Sequence, residues 1–198
     1  MTGPRLHPTS PIPDIVMHIL DQAIAASAAT HNHMRREKAR SKSIDLGRSC
    51  PWLRLVVAHH EQIEDAFEAV KATRTATARR HAERHLATLL TGHAVAEEAV
   101  LYPAMAATRQ KAHAVAAYDA QSRFKVVLAL LAATEPMSAA YEDELDSLQA
   151  AVGWHILDEE GSWFPALART GDDALQARLG DRYLDEFDRY MGADSTDE

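Results

Sequence analysis

Between residues 53 and 70, Leu53, Val56, Ile63, Phe67 and Val70 recur at alternating steps of three and four, with His60 inside the same stripe. That spacing places them on one face of a helix. A second stripe, Leu86, Leu89, His93, Ala96 with Glu97, Val100 and Ala104, repeats the period and turns both a histidine and a glutamate inward. A third runs Ala114, Ala117 with Tyr118, Gln121, Phe124, Leu128 and Leu131. The fourth, from about Ala139, runs Leu145, Leu148, Val152, His155, Glu159, Trp163 and Leu167, after a break at Thr134-Glu135-Pro136. Four periodic segments with short joins predict an all-α fold, an up-down-up-down four-helix bundle.

The flanks differ. Pro4, Pro8, Pro11 and Pro13 deprive residues 1–13 of backbone donors, which predicts an extended tail. Residues from Asp14 to about 40 read as an Ala-rich, weakly amphipathic helical extension. Ser49 before Pro51 reads as the N-cap of the first periodic helix. Beyond Gly171 a short acidic helix, with Leu179, Tyr183, Leu184 and Phe187 as its apolar side, is expected to cap the bundle before the polar tail Asp194 to Glu198. The expected organisation is a tail and extension over 1–48, the bundle over 49–170, and a C-terminal helix and tail over 171–198.

Charge narrows the function. A net charge of −8 and a pI near 5.7 argue against a nucleic-acid footprint, because phosphate binding needs clustered cations. The group Arg35, Arg36, Lys38, Arg40 and Lys42 reads as a solvated helix end or linker. Cys50 is the single cysteine, so neither an internal disulfide nor a cysteine metal cage is available, and a soluble, cytoplasmic setting is expected with no membrane partner. No phosphate loop, nucleophile elbow or Cys-His pair supports nucleotide, hydrolase or thiol chemistry.

The chemistry sits in a doubled frame. Residues 93–103 read His-Ala-Val-Ala-Glu-Glu-Ala-Val-Leu-Tyr-Pro, and residues 155–165 read His-Ile-Leu-Asp-Glu-Glu-Gly-Ser-Trp-Phe-Pro. A His and a Glu four apart on one helix face can reach the same metal ion. With His60, the two helices bring three imidazoles and two carboxylates toward one point. A lone histidine on an apolar face is usually a hydrogen-bonded core residue, but three at one level, two of them followed by a glutamate, point to a ligand set. Unpaired carboxylates at Glu97 and Glu159 would be heavily penalised, and metal ions remove that penalty. The set suits a redox-active or Lewis-acid metal, and manganese or zinc would be accepted as well as iron. Glu98 and Glu160 lie about 100° round the helix, where capping, contact with solvent or support of the ligands from behind is expected.

These residues resemble the hemerythrin-like, or HHE cation-binding, domain. The resemblance covers about residues 50 to 168 and rests on Ala58-His59-His60-Glu61-Gln62-Ile63, the two His-x-x-x-Glu-Glu frames, and the pairs Tyr102-Pro103 and Phe164-Pro165. It implies a four-helix bundle around a carboxylate-bridged di-iron centre with an oxo or hydroxo bridge. It also implies His60 and His93 on one iron, His155 on the other, and Glu97 and Glu159 as bridges.

The third helix departs from that pattern. It reads Ala120-Gln121-Ser122-Arg123-Phe124-Lys125, so Gln121 stands where a histidine is expected, and Ala117 one turn earlier cannot ligate. Tyr118 either substitutes as a phenolate ligand or packs in the stripe. His113 has drifted by about 80° from Gln121, off the ligand face. His31, His33, His81 and His85 are expected at exposed helix positions. A ligand-poor iron leaves a position open for a small molecule, which favours binding, sensing or reacting with O2, peroxide or nitric oxide over reversible O2 carriage. The competing reading is an iron-sensing or structural metal protein without turnover, whose extension meets a protein partner or a second copy of the chain.

Overall fold

The computed structural model describes residues 33–194. Among them every regular element is a helix, and no strand occurs. The chain divides after Glu37 into two units. In the first, residues 33–37 are helical, and His33 Nε2 lies 3.2 Å from the Glu37 carboxylate one turn on. The elements below belong to the second. The tail over 1–13, the expected start of a helix at Asp14, His31 and the last residues of the polar tail lie outside the described residues.

Helix α1, residues 38–47, buries Ala39 and Ser43. Helix α2, Pro51–Ala72, starts on a proline whose missing N–H would have been unpaired in the first turn. Its N-cap is Cys50, which corrects the expectation of Ser49. The Ser49 hydroxyl instead donates back to the Leu46 carbonyl at 3.2 Å, closing the turn after α1. Helix α3, Ala76–Ala96, is capped by Thr75, whose hydroxyl accepts the Ala78 N–H at 3.2 Å. A wide turn, Glu97–Leu101, carries the chain into α4, Tyr102–Ala107.

Arg109, at φ 67°, then reverses the chain into α5, Lys111–Ala133. Ser138 caps α6, Ala139–Asp158, by accepting the Tyr141 N–H at 3.2 Å. A second wide turn, Glu159–Trp163, leads into α7, Phe164–Leu167. Gly171 takes φ 70°, where a side chain would be strained, and Asp172 accepts the Leu175 N–H at 2.8 Å to open α8, Asp173–Asp194.

Helix α8 corrects the expectation of a short cap, because it is 22 residues long and lies against α2 and α3. Leu179, Tyr183 and Phe187 turn inward as expected. Leu184 falls about 100° from Tyr183 and is 39% exposed. The approach to α3 is close at Gly92, where a Cβ would stand 3.0 Å from the Tyr190 ring and 3.2 Å from Met191 Sδ. Gly92 thereby lets α8 reach the turn that carries His93.

Helix α5 packs against α6 and α4. The largest fully buried side chains include Trp52, Tyr102, Tyr141, Tyr183, Phe67 and Phe164. Trp52 meets Phe164 edge-on at 5.6 Å between ring centroids and donates its indole N–H to Gln176 Oε1 at 2.7 Å. This contact joins α2, α7 and α8 beneath the second wide turn. Among the described residues, no helix is long and apolar enough to cross a membrane.

Candidate metal centre

Each wide turn begins at a glutamate. The Tyr102 N–H bonds the Glu97 carbonyl and the Phe164 N–H bonds the Glu159 carbonyl, five residues back where an α-helix spans four. One sequence feature favours this local winding. Pro103 and Pro165 have no N–H for the carbonyls four residues earlier, and the carbonyl after each glutamate is bypassed by the longer bond. The bypassed groups find other donors. The Tyr118 hydroxyl donates to the Glu98 carbonyl at 2.7 Å, and the Ser43 hydroxyl to the Glu160 carbonyl at 2.8 Å.

His60, His93, Glu97 and Glu159 are all buried, and one donor atom from each lies within 4.8 Å of the others. His93 Nε2 is 3.1 Å from Glu97 Oε1, and His60 Nε2 is 3.3 Å from Glu159 Oε2. Yet His60 Nε2, Glu97 Oε1 and Glu159 Oε2 make no hydrogen bond. One donor atom of each of the four residues thus faces a shared centre. Two donors each about 2.1 Å from a cation and roughly at right angles stand about 3 Å apart, which is the spacing here.

The second oxygen of each carboxylate faces the other way. Glu97 Oε2 accepts from Gln121 Nε2 at 2.7 Å and from the Tyr102 hydroxyl at 2.9 Å. Glu159 Oε1 lies 2.9 Å from that hydroxyl and 3.1 Å from His155 Nε2. The Tyr102 oxygen is also 3.1 Å from His155 Nε2. The two glutamates thus span two half-sites. One holds His60 and His93 with oxygens that make no hydrogen bond, and the other holds His155, Tyr102 and Gln121 with oxygens already hydrogen-bonded.

Protons compensate these buried carboxylates in the polypeptide alone. Burial would lower the His60 pKa, but Glu159 and Glu160 beside it raise it to about 10. Burial would raise Glu159, while His155 and His60 hold it well below the usual carboxylate range. His155 is likewise raised, burial opposing and Glu159 prevailing. Burial and then the two glutamates push the Tyr102 phenol well above its ordinary value. His59 behaves oppositely, lowered to about 3 by burial and by its neighbours His93 and His60.

Comparison with known proteins bears on this arrangement. The family model of the hemerythrin HHE cation binding domain matches residues 53–167. The chain belongs to the hemerythrin family. A DNA nickase of Nostoc sp. (strain PCC 7120) is 35% identical over 98 residues, which are 50% of this chain and 27% of that protein. The hemerythrin chain therefore spans about a quarter of that relative's length. No solved structure matches.

Within this hemerythrin domain, His60, His93, Glu97, His155, Glu159 and Gln121 come together as one buried group. Tyr118 stands apart from it. It is 37% exposed, its hydroxyl is engaged with the Glu98 carbonyl, and its ring meets that of Tyr102 edge-on at 5.1 Å. His113 lies on the exposed side of α5 and stacks on Trp163 at 5.6 Å. His81 and His85 are exposed on α3. Glu98 pairs with Lys125 at 2.8 Å, whereas Glu160 is buried and accepts from His60 Nδ1 at 2.8 Å.

Sequence reasoning missed Tyr102, which the structure puts at the middle of the hemerythrin site. The signal was present: Tyr102 and Phe164 each follow a frame glutamate by five residues and precede a proline. Tyr102→Phe removes the hydroxyl that meets both glutamates and His155. It is expected to cost about 1–3 kcal/mol in metal-free protein, read by urea unfolding. No loss would show that Tyr102 contributes packing alone.

Proposed function

We propose that the protein holds a pair of iron ions in this centre, within an up-down-up-down bundle of α2, α3 with α4, α5, and α6 with α7, and uses the pair to bind, sense or react with O2, peroxide or nitric oxide. One observation carries the reading. Each buried glutamate directs one oxygen to either half-site, and three of the converging atoms make no hydrogen bond within the protein. Short joins at 73–75, 108–110 and 134–138 support the antiparallel order.

His60, His93, Glu97 and Glu159 would hold the first ion, and His155 and Tyr102 with the opposite oxygens of the same glutamates would hold the second. Iron bound there would supply a redox couple and a Lewis-acid position for a small ligand. Gln121 directs an amide donor into the second half-site. Phe124 and Trp163 flank His155 edge-on at 5.3 and 5.8 Å, which keeps water from its ring.

Elemental analysis and an absorption spectrum of protein produced in iron-rich medium test the proposal. Two irons per chain with charge-transfer bands that change on adding peroxide or nitric oxide are expected. One metal or none would overturn the pair, and an unresponsive spectrum would overturn the reactive role in favour of metal sensing. Metal affinity should also depend on pH. His60 keeps its proton up to about 10 in metal-free protein, so binding must displace it. Affinity therefore rises as pH rises, by roughly tenfold per unit below that value for one displaced proton. Zinc titrations at two pH values check the slope, and equal affinities would remove His60 from the ligand set.

A further inference from the structure

The family match begins at residue 53 and ends at 167, yet the two histidines of the first half-site are backed by helices outside that span. On one side stands α1. Arg40 lays its guanidinium along the Glu160 carboxylate, with Nε 3.1 Å from Oε2 and Nη2 2.8 Å from Oε1, and its Nη1 reaches Glu64 at 2.6 Å. Glu160 in turn accepts from His60 Nδ1 at 2.8 Å. The same helix occupies the second wide turn: Ser43 donates to the Glu160 carbonyl, and Lys42 Nζ donates to the Gly161 carbonyl, both at 2.8 Å. The Gly161 carbonyl is the one that Pro165 cannot serve.

On the other side stands α8. The Tyr183 hydroxyl is fully buried, 2.9 Å from His93 Nδ1 and 2.8 Å from His59 Nδ1. A histidine that donates Nδ1–H to a fixed acceptor presents its Nε2 lone pair in a fixed direction. His60 meets that condition through Glu160 once its Nε2 proton is displaced, the Tyr183 oxygen offers His93 the same fixed partner, and both rings turn Nε2 toward the glutamates. A ring free to rotate about its Cβ–Cγ bond would not hold that aim.

We propose that the flanking helices α1 and α8 are working parts of the metal centre, with Arg40 acting through Glu160 to position His60, and Tyr183 positioning His93. This rests on the metal-binding reading above. Ser43 and Lys42 contribute by holding the backbone from which Glu159 and Glu160 project. Arg40 and Tyr183 touch no bound ion and are positioning residues. The family-matched segment alone would carry every ligand and still present the first half-site loosely.

Cobalt(II) titration of the metal-free full chain, followed by absorption, tests this. Arg40→Ala and Tyr183→Phe are each expected to weaken the tighter cobalt equilibrium tenfold to a hundredfold. Arg40→Lys should recover part of the loss, since an ammonium can still meet one Glu160 oxygen. Proton NMR of metal-free protein supplies a readout that general loosening would not move: the His60 Nδ1 resonance shifts in Arg40→Ala and the His93 resonance in Tyr183→Phe, each without the other. Should Arg40→Ala fail to fold, Ser43→Ala makes the same test from the backbone side, with a weaker cobalt equilibrium expected. Unchanged cobalt affinity in the variants, with the parent protein binding cobalt normally, overturns the positioning role and leaves the metal reading standing. A parent protein that binds no cobalt overturns both.

Discussion

Stripping bound metal from the purified protein with a chelator should lower its melting temperature by roughly 8–16 °C, and restoring the metal should reverse the fall. The magnitude follows from mass action. A metal present at about a thousandfold above its dissociation constant adds about 4 kcal/mol to the native state, and at this chain length each kcal/mol moves the midpoint by about 2–4 °C. The native state would gain because the cation meets buried atoms that make no hydrogen bond within the protein: His60 Nε2, Glu97 Oε1 and Glu159 Oε2. Glu159→Ala should abolish the response, since that side chain contributes to both half-sites. Scanning calorimetry with and without metal decides it. A midpoint indifferent to metal in the parent protein would mean that the converging donors bind no ion.

Trp52→Ala should destabilise the protein by about 3–5 kcal/mol, or roughly 6–20 °C, with or without metal. Trp52 is fully buried, so truncation opens a cavity beside Phe164 and leaves Gln176 Oε1 without its indole donor. A matched substitution at Leu130, which is 54% exposed, should change the midpoint little. Equal effects of the two substitutions in thermal unfolding would contradict this account of the core. The Trp52 effect also reaches the centre mechanically, because Phe164 is the first residue after the wide turn that carries Glu159.

The stripes legible in the sequence are those of regular α-helix. Leu53, Val56, Ile63, Phe67 and Val70 obey that period and are buried around His60. Ala114, Ala117, Gln121, Phe124 and Leu131 do the same on α5. Tyr102 escaped because the period is broken at the site. Counting by α-helical turns from Glu97 leads to Val100 and Leu101, whereas the five-residue turn brings Tyr102 back beneath the glutamate. The same break freed the Glu98 carbonyl, and Tyr118 answers it from a position that the stripe had assigned to the interior.

Partners distant in sequence left no local trace. Arg40 reads as one cation in a solvated cluster, and only the fold brings it to Glu160, 120 positions away. Tyr183 likewise reads as part of an apolar face, and its hydroxyl meets His59 from 124 positions away. Periodicity reports which side of a helix is wet. It says nothing of which helix lies opposite.

That separation along the chain has a consequence for biosynthesis. The centre draws on α1 to α6 and α8, and no pair of helices made early in synthesis contains a complete half-site. A polypeptide emerging N-terminus first cannot close the first half-site until Glu159 has left the ribosome, and cannot brace His93 until Tyr183 has followed. His60 and His93 must wait as ordinary side chains until α6 and the second wide turn have emerged. On the proposed metal-binding reading, capture of the ion waits for the second wide turn and is no seed around which the earlier helices gather.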